Sequence, residues 1–574
     1  MMVKHKLSRK AAKAQRCMVR SVLWHYFAAL RLCALIGVMS CTGIRVAQAE
    51  TPHLAKQGTA TQLIVDGEPF LILGGELGNS AATTLESMEP IWPRLVKLNL
   101  NTVLVPAYWD LIEPREGEFD FALVDGLIAQ AREHKLRIIF LWFGSWKNSM
   151  SCYAPGWVKQ DQARFLRAQG KDGQGIEILS PFSEANVAAD TRAFAAFMRH
   201  LREVDGDENT VIMVQVENEI GMIPEARDWS SEATELYRQD VPQELMDYLV
   251  ANEEKLNPEF REVWQAAGGK RAGTWVEVFG PGVGTEEIFM AWHFARYTER
   301  VAAAGKAEHP LPMFVNAALM RPGYLPGQYP SAGPLPHLMD VWRAGAPAID
   351  FLSPDIYFPN FVEWCQKFHR AGNPLFIPEA MRGSRSAANV FYAIGQHDAI
   401  GHSPFAIDHI LDPEVQPLAA SYDLLRQLTP VILANQGRGK MAGAAPDVSF
   451  DESRVPSEQQ VNLGDYTFNI TFERPTEPTI VPGLDPGQSL SGGLIVMEGP
   501  NEYLVAGTGI VITFAPNSPG KPMAGIESVQ QGRYVDGQWV VSRWLGGDET
   551  HQGRHVRIPA GEFDIQRVKL YRYR

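Results

Sequence analysis

Eight short apolar runs recur between residues 70 and 408, and amphipathic stretches of helical period separate them. Uninterrupted apolar strands that alternate with helices are typical of a parallel sheet that is covered on both faces. Eight of them in one chain segment predict an α/β fold whose strands close into a (β/α)8 TIM barrel. The predicted strands are residues 70–77, 102–109, 137–143, 211–217, 313–319, 349–357, 375–379 and 404–408.

A doubly wound open sheet is the alternative fold for this rhythm. None of the predicted strands is followed by the glycine-rich turn with which that fold binds phosphate groups, which also argues against a nucleotide-dependent enzyme. The segment between the fourth and fifth strands is long for one βα unit, and residues 286–305 within it have the apolar spacing of a helix. We expect this insertion to shape a cleft at the barrel rim.

The segments before and after the predicted barrel strands do not continue the alternation of strands and helices. We assign residues 50–430 to the barrel domain, which includes a small hairpin at 61–74 that turns at Asp66 and Gly67. Residues 431–460 are rich in Gly, Ala, Pro and Ser and are interpreted as a linker. Alternating polar and apolar segments then predict an all-β sandwich at 461–574. The sequence leaves open whether this accessory domain only packs on the barrel or binds carbohydrate.

The first 49 residues have the pattern of a secretory signal peptide. They contain nine Lys or Arg and no Asp or Glu, followed by an apolar stretch and a small-residue site that predicts cleavage after Ala49. A competing interpretation is 38-VMSC-41, which resembles a lipoprotein signal that would anchor the chain through Cys41. Either form predicts a periplasmic or secreted protein. The apolar stretch itself is too short to span a bilayer.

The formal net charge and the cysteine count limit the kinds of partner and metal site that the protein can have. Because nine positive charges leave with the leader, the formal net charge changes from -13 to -22, which argues against nucleic acid and anionic membranes as partners. Cys152 and Cys365 remain, and they are interpreted as two separate buried thiols, with a disulfide between them as the alternative in an oxidising compartment. No Cys/His cluster has the spacing of a zinc site, so we predict neither a metal nor a cofactor. Association into a homo-oligomer stays open.

Carboxylates stand at the ends of two of the predicted strands. The fourth strand ends in Glu217, Asn218 and Glu219, and the seventh ends in Glu379. Residues at the carboxyl ends of barrel strands meet at one mouth, where the active sites of such barrels lie. Two carboxyl groups about 5 to 5.5 Å apart are what a retaining glycosidase needs, one as nucleophile and one as acid/base. Periodicity alone does not decide between Glu217 and Glu219.

Two motifs resemble known glycosidases. The segment 214-VQVENEIG-221 resembles the acid/base segment of glycoside hydrolase family 35, the β-galactosidases, and 109-WDLIEPREGEFDF-121 is similar to a pattern of that family and of family 42. The resemblance covers roughly residues 55–430 and extends to a bacterial subgroup with a β-rich tail. It implies that Glu219 is the acid/base, that Asn218 holds the sugar 2-hydroxyl and that Glu379 is the nucleophile.

The resemblance therefore implies a retaining exo-glycosidase that hydrolyses terminal β-D-galactosyl residues, with a carbohydrate as its substrate and xyloglucan fragments of plant cell walls as the expected source. The alternatives are an α-L-arabinopyranosidase, an endo-β-glycanase, or a carbohydrate-binding protein without catalysis. Members of family 35 generally carry an Ala-Glu-Trp segment after the third strand, where this chain reads 142-WFGSWKNS-149. Trp146 can be matched to that segment and is expected to contact substrate. The glutamate of the segment has no counterpart here, so Lys147 or Asn148 is expected to contact the sugar instead.

Further polar residues follow other strands and are predicted to lie at the same rim. Tyr108, Asn316 and Tyr357 are expected to contact substrate, and Tyr357 is also expected to orient the nucleophile through a hydrogen bond. Glu217 is interpreted as support behind the site and Glu113 as a loop anchor. The remaining residues at strand ends, with a role left open between packing and substrate contact, are Glu76, Trp109 and Asp355.

Overall fold

A closed barrel of eight parallel strands lies at the centre of the computed structural model, which describes residues 50–370, 372–473 and 490–574. Up to the end of the barrel the strands are, in chain order, β1 (His53–Gln57), β2 (Ala60–Val65), β3 (Glu68–Phe70), β4 (Ile72–Glu76), β5 (Thr102–Tyr108), β6 (Arg137–Lys147), β7 (Arg167–Gln169), β8 (Gly175–Leu179), β9 (Val211–Asn218), β10 (Met313–Ala318), β11 (Phe351–Ile356), β12 (Phe376–Ala380) and β13 (Gly401–Pro404).

The barrel closes through β4, β5, β6 and β9 to β13 in that order, which confirms the predicted TIM barrel. Strands β1 to β3 form an antiparallel sheet before it, and the predicted turn at Asp66 and Gly67 joins β2 to β3 with positive φ at both residues. Strands β7 and β8 form a hairpin after β6. The predicted leader at 1–49, with its processing sites Cys41 and Ala49, lies outside the described residues.

Fifteen α-helices are found in the described residues. They are α1 (Leu85–Met88), α2 (Trp92–Lys97), α3 (Trp109–Ile112), α4 (Ala122–Glu133), α5 (Gly156–Gln160), α6 (Glu184–Asp205), α7 (Ser231–Arg238), α8 (Gln243–Ala251), α9 (Pro258–Ala266), α10 (Trp275–Phe279), α11 (Val283–Glu308), α12 (Met339–Gly345), α13 (Phe361–Phe368), α14 (Ser384–His397) and α15 (Pro417–Asn435).

Helices α7 to α11 make up the long insertion between β9 and β10, and α11 contains the helix predicted at 286–305. This helix packs closely on α6. A Cβ on Gly305 of α11 would lie 2.2 Å from the ring of Phe194 on α6, so the absence of a side chain allows the two helices to approach. The pair lies outside β6 and β9 and braces the strands that end in the site residues.

The eighth strand lies earlier in the chain than predicted. Residues Gly401–Pro404 form β13, whereas the predicted 404–408 mostly follows the strand as a turn with Ala406 at φ 51°. The apolar pattern missed it because its two central residues, His402 and Ser403, are polar and yet completely buried. Burial lowers the pKa of His402 to about 3, so the imidazole is neutral and lies inside the barrel wall.

The tail folds as two antiparallel sheets that share one apolar core, as the sequence predicted. One sheet has the order β14-β17-β18-β23-β20-β21 and the other the order β15-β16-β19-β22. Their strands are β14 (Met441–Ala444), β15 (Glu458–Leu463), β16 (Tyr466–Phe472), β17 (Gly492–Gly499), β18 (Glu502–Thr508), β19 (Ile510–Pro516), β20 (Met523–Val535), β21 (Gln538–Leu545), β22 (Val556–Ile558) and β23 (Asp564–Tyr573).

The structure corrects the linker interpretation of 431–460. Helix α15 continues to Asn435, and β14 already belongs to the larger sheet because Met441 pairs with Val496 of β17. The small residues that resemble a linker serve close packing instead. A Cβ on Gly443 of β14 would lie 2.6 Å from the backbone oxygen of Tyr392 on α14, so the sheet rests directly on a barrel helix.

Two further sequence expectations concern single features. Cys152 and Cys365 are both free thiols, as expected; Cys365 is buried, whereas Cys152 is exposed, which corrects the expectation that both are buried. Within the described part of the chain, no helix combines the length and apolar character needed to cross a bilayer.

Candidate active site

The carboxyl end of β9 breaks strict alternation. Between the pairs Trp142–Val216 and Lys147–Asn218, β6 has four residues where β9 has only Glu217, so the ladder bulges at this point. Glu217 and Glu219 take up the irregularity with φ values of 63° and 44°. Because of the bulge, the side chain of Glu217 lies behind the barrel wall, while those of Asn218 and Glu219 lie in the mouth.

Glu217 lies behind the wall. Its Oε2 accepts a hydrogen bond of 2.8 Å from the backbone N–H of Trp146, and Asp190 of α6 lies close by. Burial, with the charge of Asp190, raises the pKa of Glu217 well above its ordinary value. Asp190 in turn accepts from the indole of Trp142 at 2.9 Å and from Ser145 Oγ at 2.6 Å. This arrangement agrees with a supporting role for Glu217.

The side chain of Trp146 also lies behind the wall, which corrects its predicted contact with substrate. The indole is completely buried, donates to the carbonyl of Leu179 at 3.3 Å and packs on Phe294 and Tyr297 of α11. The match of Trp146 to the family segment did not indicate on which side of the barrel wall its side chain lies. The bulge in β6 turns this side chain outward.

Glu379, at the end of β12, accepts hydrogen bonds from three side chains. Tyr357 donates its hydroxyl to Oε2 at 2.6 Å, while the amides of Asn218 and Asn316 donate to Oε1 at 3.2 Å and 3.4 Å. Donors of this number and direction stabilise a negative charge on the carboxylate. The hydrogen bond from Tyr357 is the one that the sequence predicted for orienting the nucleophile.

Glu219 faces Glu379 across the mouth. Carboxylate oxygens of Glu219, Glu379 and Asp355 lie within 4.8 Å of one another. Burial, helped by the charge of Glu379 and opposed by that of Lys147, raises the pKa of Glu219 to about 7. Glu219 therefore keeps its proton to a higher pH than an ordinary glutamate, whereas Glu379 is surrounded by hydrogen-bond donors. This difference between two neighbouring glutamates is what an acid and a nucleophile require.

Lys147 supplies a buried positive charge at this mouth. Its Nζ donates to Oδ1 of Asn218 at 2.8 Å and lies 5.1 Å from the ring centre of Phe143. Burial disfavours the charged ammonium, but Glu379 and the other carboxylates outweigh burial and raise the pKa of Lys147 above its ordinary value. The ammonium also fixes the Asn218 amide, because it takes the oxygen and leaves the NH2 group to face Glu379.

The other predicted contact residues fall into two groups. Asn148 donates to the carboxylate of Glu219, and Asn316 accepts from the backbone N–H of Glu219 at 2.9 Å, so both lie at the mouth. Tyr108 is buried, and its hydroxyl donates to the carbonyl of Asn79 at 2.8 Å. This bond braces the loop after β4, and the predicted substrate contact of Tyr108 stays a prediction.

Glu76 and Asp355 complete the mouth, although the sequence left their roles open. Glu76 is fully buried at the end of β4, and no described N–H or O–H group donates to either of its oxygens. Burial and the charge of Glu379 raise the pKa of Glu76 well above its ordinary value. Burial and the same charge also raise the pKa of Asp355, whose Oδ2 accepts from Asn316 at 2.7 Å. Their position after strands was the signal that pointed to both.

Glu113 is a loop anchor, as interpreted from the sequence. It is buried and accepts from the indole of Trp109 at 2.8 Å, from the backbone of Gly117 at 2.7 Å and from Arg192 at 2.9 Å. These three donors close the turn that follows α3. The second sequence motif therefore shapes the rim, and its glutamate is held apart from the reacting groups.

The three carboxylates Glu219, Asp355 and Glu379 are close enough to hold a cation. Their surroundings fit a different task. The Lys147 ammonium and the donors from Asn218, Asn316 and Tyr357 already face these oxygens, and an ammonium repels a metal ion. These hydrogen-bond donors suit a site that stabilises negative charge and transfers protons.

Taken together, a TIM barrel with paired glutamates at the ends of its fourth and seventh strands has the machinery of a retaining glycoside hydrolase. Comparison with known families agrees. Residues 84–288 match the family model Glyco_hydro_42, described as beta-galactosidase, and residues 418–557 match DUF5597, described as a domain of unknown function. Residues 84–288 are thus similar to a glycoside hydrolase family that is described as beta-galactosidase. The match is to family 42, so the specific assignment to family 35 is not confirmed.

Solved structures similar to this chain include three bacterial β-galactosidases. That from Rahnella sp. R3 is 16% identical with a TM-score of 0.43, and that from Bacillus circulans sp. alkalophilus is 14% identical with a TM-score of 0.44; each comparison covers 63% of this chain and 57% of the other. The enzyme from Marinomonas ef1 is 11% identical with a TM-score of 0.42, over 62% of this chain and 60% of the other. The chain thus spans little more than half the length of these proteins. No curated protein matches it.

Proposed function

We propose that the protein is a retaining exo-glycosidase that removes terminal β-D-galactosyl residues. The observation that carries the proposal is the asymmetry of the two facing glutamates. Glu379 accepts from three donors, whereas burial and the charge of Glu379 raise the pKa of Glu219 to about 7. The match of residues 84–288 to a β-galactosidase family supports the choice of sugar.

In the first step, an oxygen of Glu379 attacks the anomeric carbon and the bond from that carbon to the leaving oxygen breaks. Glu219 gives its proton to the leaving oxygen, so the aglycone departs as a neutral alcohol. A galactosyl ester on Glu379 results. Tyr357 holds Oε2 of Glu379 at 2.6 Å, and the amide donors on Oε1 complete the alignment of the carboxylate.

In the second step, Glu219 acts as a base. Formation of the ester removes the negative charge of Glu379, which is one of the causes of the raised pKa of Glu219. The pKa of Glu219 then falls, and its carboxylate accepts a proton from a water molecule that attacks the anomeric carbon. The bond to Glu379 breaks, galactose leaves and Glu219 is again protonated.

Sugar hydroxyls are proposed to meet the amide and ammonium groups of the mouth. Asn218, fixed by its bond to Lys147, presents its NH2 group beside the nucleophile and is the proposed contact of the 2-hydroxyl. Lys147 and Asn148 stand where family 35 has a glutamate, and we propose that they bind hydroxyls in its place. Because this part of the site differs, an arabinopyranosidase or an endo-acting glycanase is the alternative outcome of a substrate test.

For the natural substrate, we propose galactosylated oligosaccharides such as xyloglucan fragments, reached by a periplasmic or secreted enzyme. The leader pattern at 1–49 and the acidic remainder of the chain support this location. Measurements of molecular mass in solution test whether the protein forms a homo-oligomer.

The test is a panel of 4-nitrophenyl glycosides with the purified protein and with Glu219→Gln. We expect β-D-galactoside to be the best substrate, and we expect Glu219→Gln to lower kcat/KM on an oligosaccharide by about 10²- to 10⁴-fold. Azide should restore turnover of the aryl galactoside and yield β-galactosyl azide.

Glu217→Gln is the matched control because Glu217 is a buried glutamate two residues away that lies behind the wall. Azide should give no glycosyl azide with this variant. Full activity in Glu219→Gln, or a best substrate other than a β-galactoside, would contradict the proposal.

A further inference from the structure

A cleft opens beside the catalytic mouth, between the rim of the barrel and the tail. Its volume is about 300 Å³, at the lower end of the size range of small-ligand sites. The wall is built from the residues that follow β11 and β12, from the first half of α14 and from one residue of the tail. The lining residues that matter below are Tyr357, Phe358, Arg382, Ser384, Arg385 and Glu452.

Tyr357 connects this cleft to the nucleophile. Its side chain lines the cleft, and its hydroxyl donates to Glu379 at 2.6 Å. Ala380, the residue after Glu379, lines the cleft as well. The sugar that is cleaved off must lie over Glu219 and Glu379 inside the barrel mouth. The remainder of the substrate must leave the mouth across the rim, and this cleft adjoins the rim on the side of the nucleophile strand.

The chemistry of the wall fits a neutral, hydroxyl-rich group. The charge of the Arg385 guanidinium is compensated by Glu452 at 2.8 Å, and the Arg382 guanidinium donates a hydrogen bond to the carbonyl of Ala406 at 3.0 Å and can also donate to hydroxyl groups. The hydroxyl of Ser384 is buried and has no partner among the described residues. The ring of Phe358 adds an apolar face, which suits the C–H surface of a sugar.

The tail holds its part of the wall in a preformed turn. The ring of Phe450 packs edge-on against Phe358 with centroids 5.0 Å apart. Asp451 accepts from the hydroxyls of Ser449 and Ser453, and these bonds hold its pKa at about 2. Glu452 follows with φ 55° and reaches Arg385 on α14. The turn therefore places one tail carboxylate at the cleft.

We propose that this cleft is the aglycone subsite, which binds the second sugar of a galactosylated oligosaccharide, and that residues 450–452 make it a joint product of barrel and tail. The inference rests on the proposed function, since an aglycone exists only if a glycoside is cleaved. It assigns a role to part of the segment 418–557, which matches a domain of unknown function.

The experiment compares Glu452→Ala with Glu458→Ala, an exposed tail glutamate on β15 outside the cleft. For each variant, kcat/KM is measured with a β-galactosylated xyloglucan oligosaccharide and with 4-nitrophenyl β-D-galactoside. We expect the ratio of the two values to fall about fivefold in Glu452→Ala, the loss of one hydrogen bond, mainly through KM. The ratio should equal that of the wild type in Glu458→Ala. An equal ratio in both variants would overturn the proposal.

A binding measurement separates this inference from the proposed function. The same oligosaccharide without its galactose is titrated into the wild type and both variants by calorimetry, which needs no turnover. We expect binding to the wild type and to Glu458→Ala and weaker binding to Glu452→Ala. Absence of turnover with this binding pattern would reject only the proposed activity, whereas equal affinity in all three proteins would reject the subsite. Thermal unfolding of each variant shows that the fold is intact.

Discussion

The barrel mouth and the core of the tail are both buried, but they bury opposite kinds of side chain. The mouth encloses four carboxyl groups around the single ammonium of Lys147, namely Glu76, Glu219, Asp355 and Glu379. The shared core of the tail sheets consists of aliphatic and aromatic side chains. Burial of apolar surface stabilises a fold, while burial of charge costs free energy unless protons or partners compensate.

This difference shows where stability and chemistry reside. In the mouth, burial and mutual repulsion raise the pKa values of Glu76, Glu219 and Asp355, and for Glu219 these causes give the pKa that the proposed proton donor needs. The tail core has no such task. Substitutions in the mouth should therefore change activity without lowering stability. Substitutions in the tail core should lower stability without changing the activity of the folded molecules.

The largest effect on stability is expected from Phe468→Ala in the tail. Phe468 is completely buried and packs edge-on against Tyr503 and Phe514. Its removal should lower the free energy of unfolding by about 3 to 5 kcal/mol, while turnover per folded molecule of an aryl galactoside stays the same. Denaturant unfolding and kinetics below the transition measure the two quantities. Val540→Ala, on the exposed strand β21, is the control and should change neither.

A stabilising effect is expected from Glu219→Gln, although it removes the acid. The ordinary pKa of a glutamate is 4.5, and in the folded protein that of Glu219 is about 7. The folded state therefore binds more protons between these values, so stability falls as pH rises from 4.5 to 7 and the loss is complete above 7. At pH 8 the variant should exceed the wild type by about 3 kcal/mol in free energy of unfolding.

Below pH 4.5 the two proteins should differ little, because Glu219 is then protonated in the folded and the unfolded state. Unfolding curves at pH 4 and pH 8 check this prediction. A variant that is less stable than the wild type at pH 8 would show that hydrogen bonds to the carboxylate, such as that from Asn148, outweigh its burial.

The smallest effect is a shift of the pH profile in Lys147→Met. In the wild type, kcat/KM should decline above pH 7 as Glu219 loses its proton. The charge of Lys147 lowers the pKa of Glu219, so its removal should move this alkaline limb upward, by about one pH unit. Lys147→Arg, which keeps the charge, is the control. A limb that stays in place would show that Lys147 acts only by holding Asn218.

Much of the architecture was predictable because periodic patterns act locally. The apolar strands between 70 and 380 lie where the sequence placed them, and the helix at 286–305 lies within α11. Two predictions failed for one reason. Strand β13 contains the buried polar residues His402 and Ser403, and the segment 431–460 contains small residues that allow β14 and its sheet to pack on α14. Burial there depends on neighbours far away in the chain.

The sequence by itself determined the barrel and the strands whose carboxyl ends share a mouth, because strand order fixes both, and the resemblance to known glycosidases pointed to Glu219 and Glu379 at those ends. The tertiary structure decided the rest. It turned Trp146 behind the wall through the bulge in β6, brought Glu76 and Lys147 beside Glu379, and placed Glu452 of the tail at the rim. These outcomes depend on the distances between residues that are remote in the sequence and on how deeply each side chain is buried. The same distances and burial set the pKa of each carboxyl group.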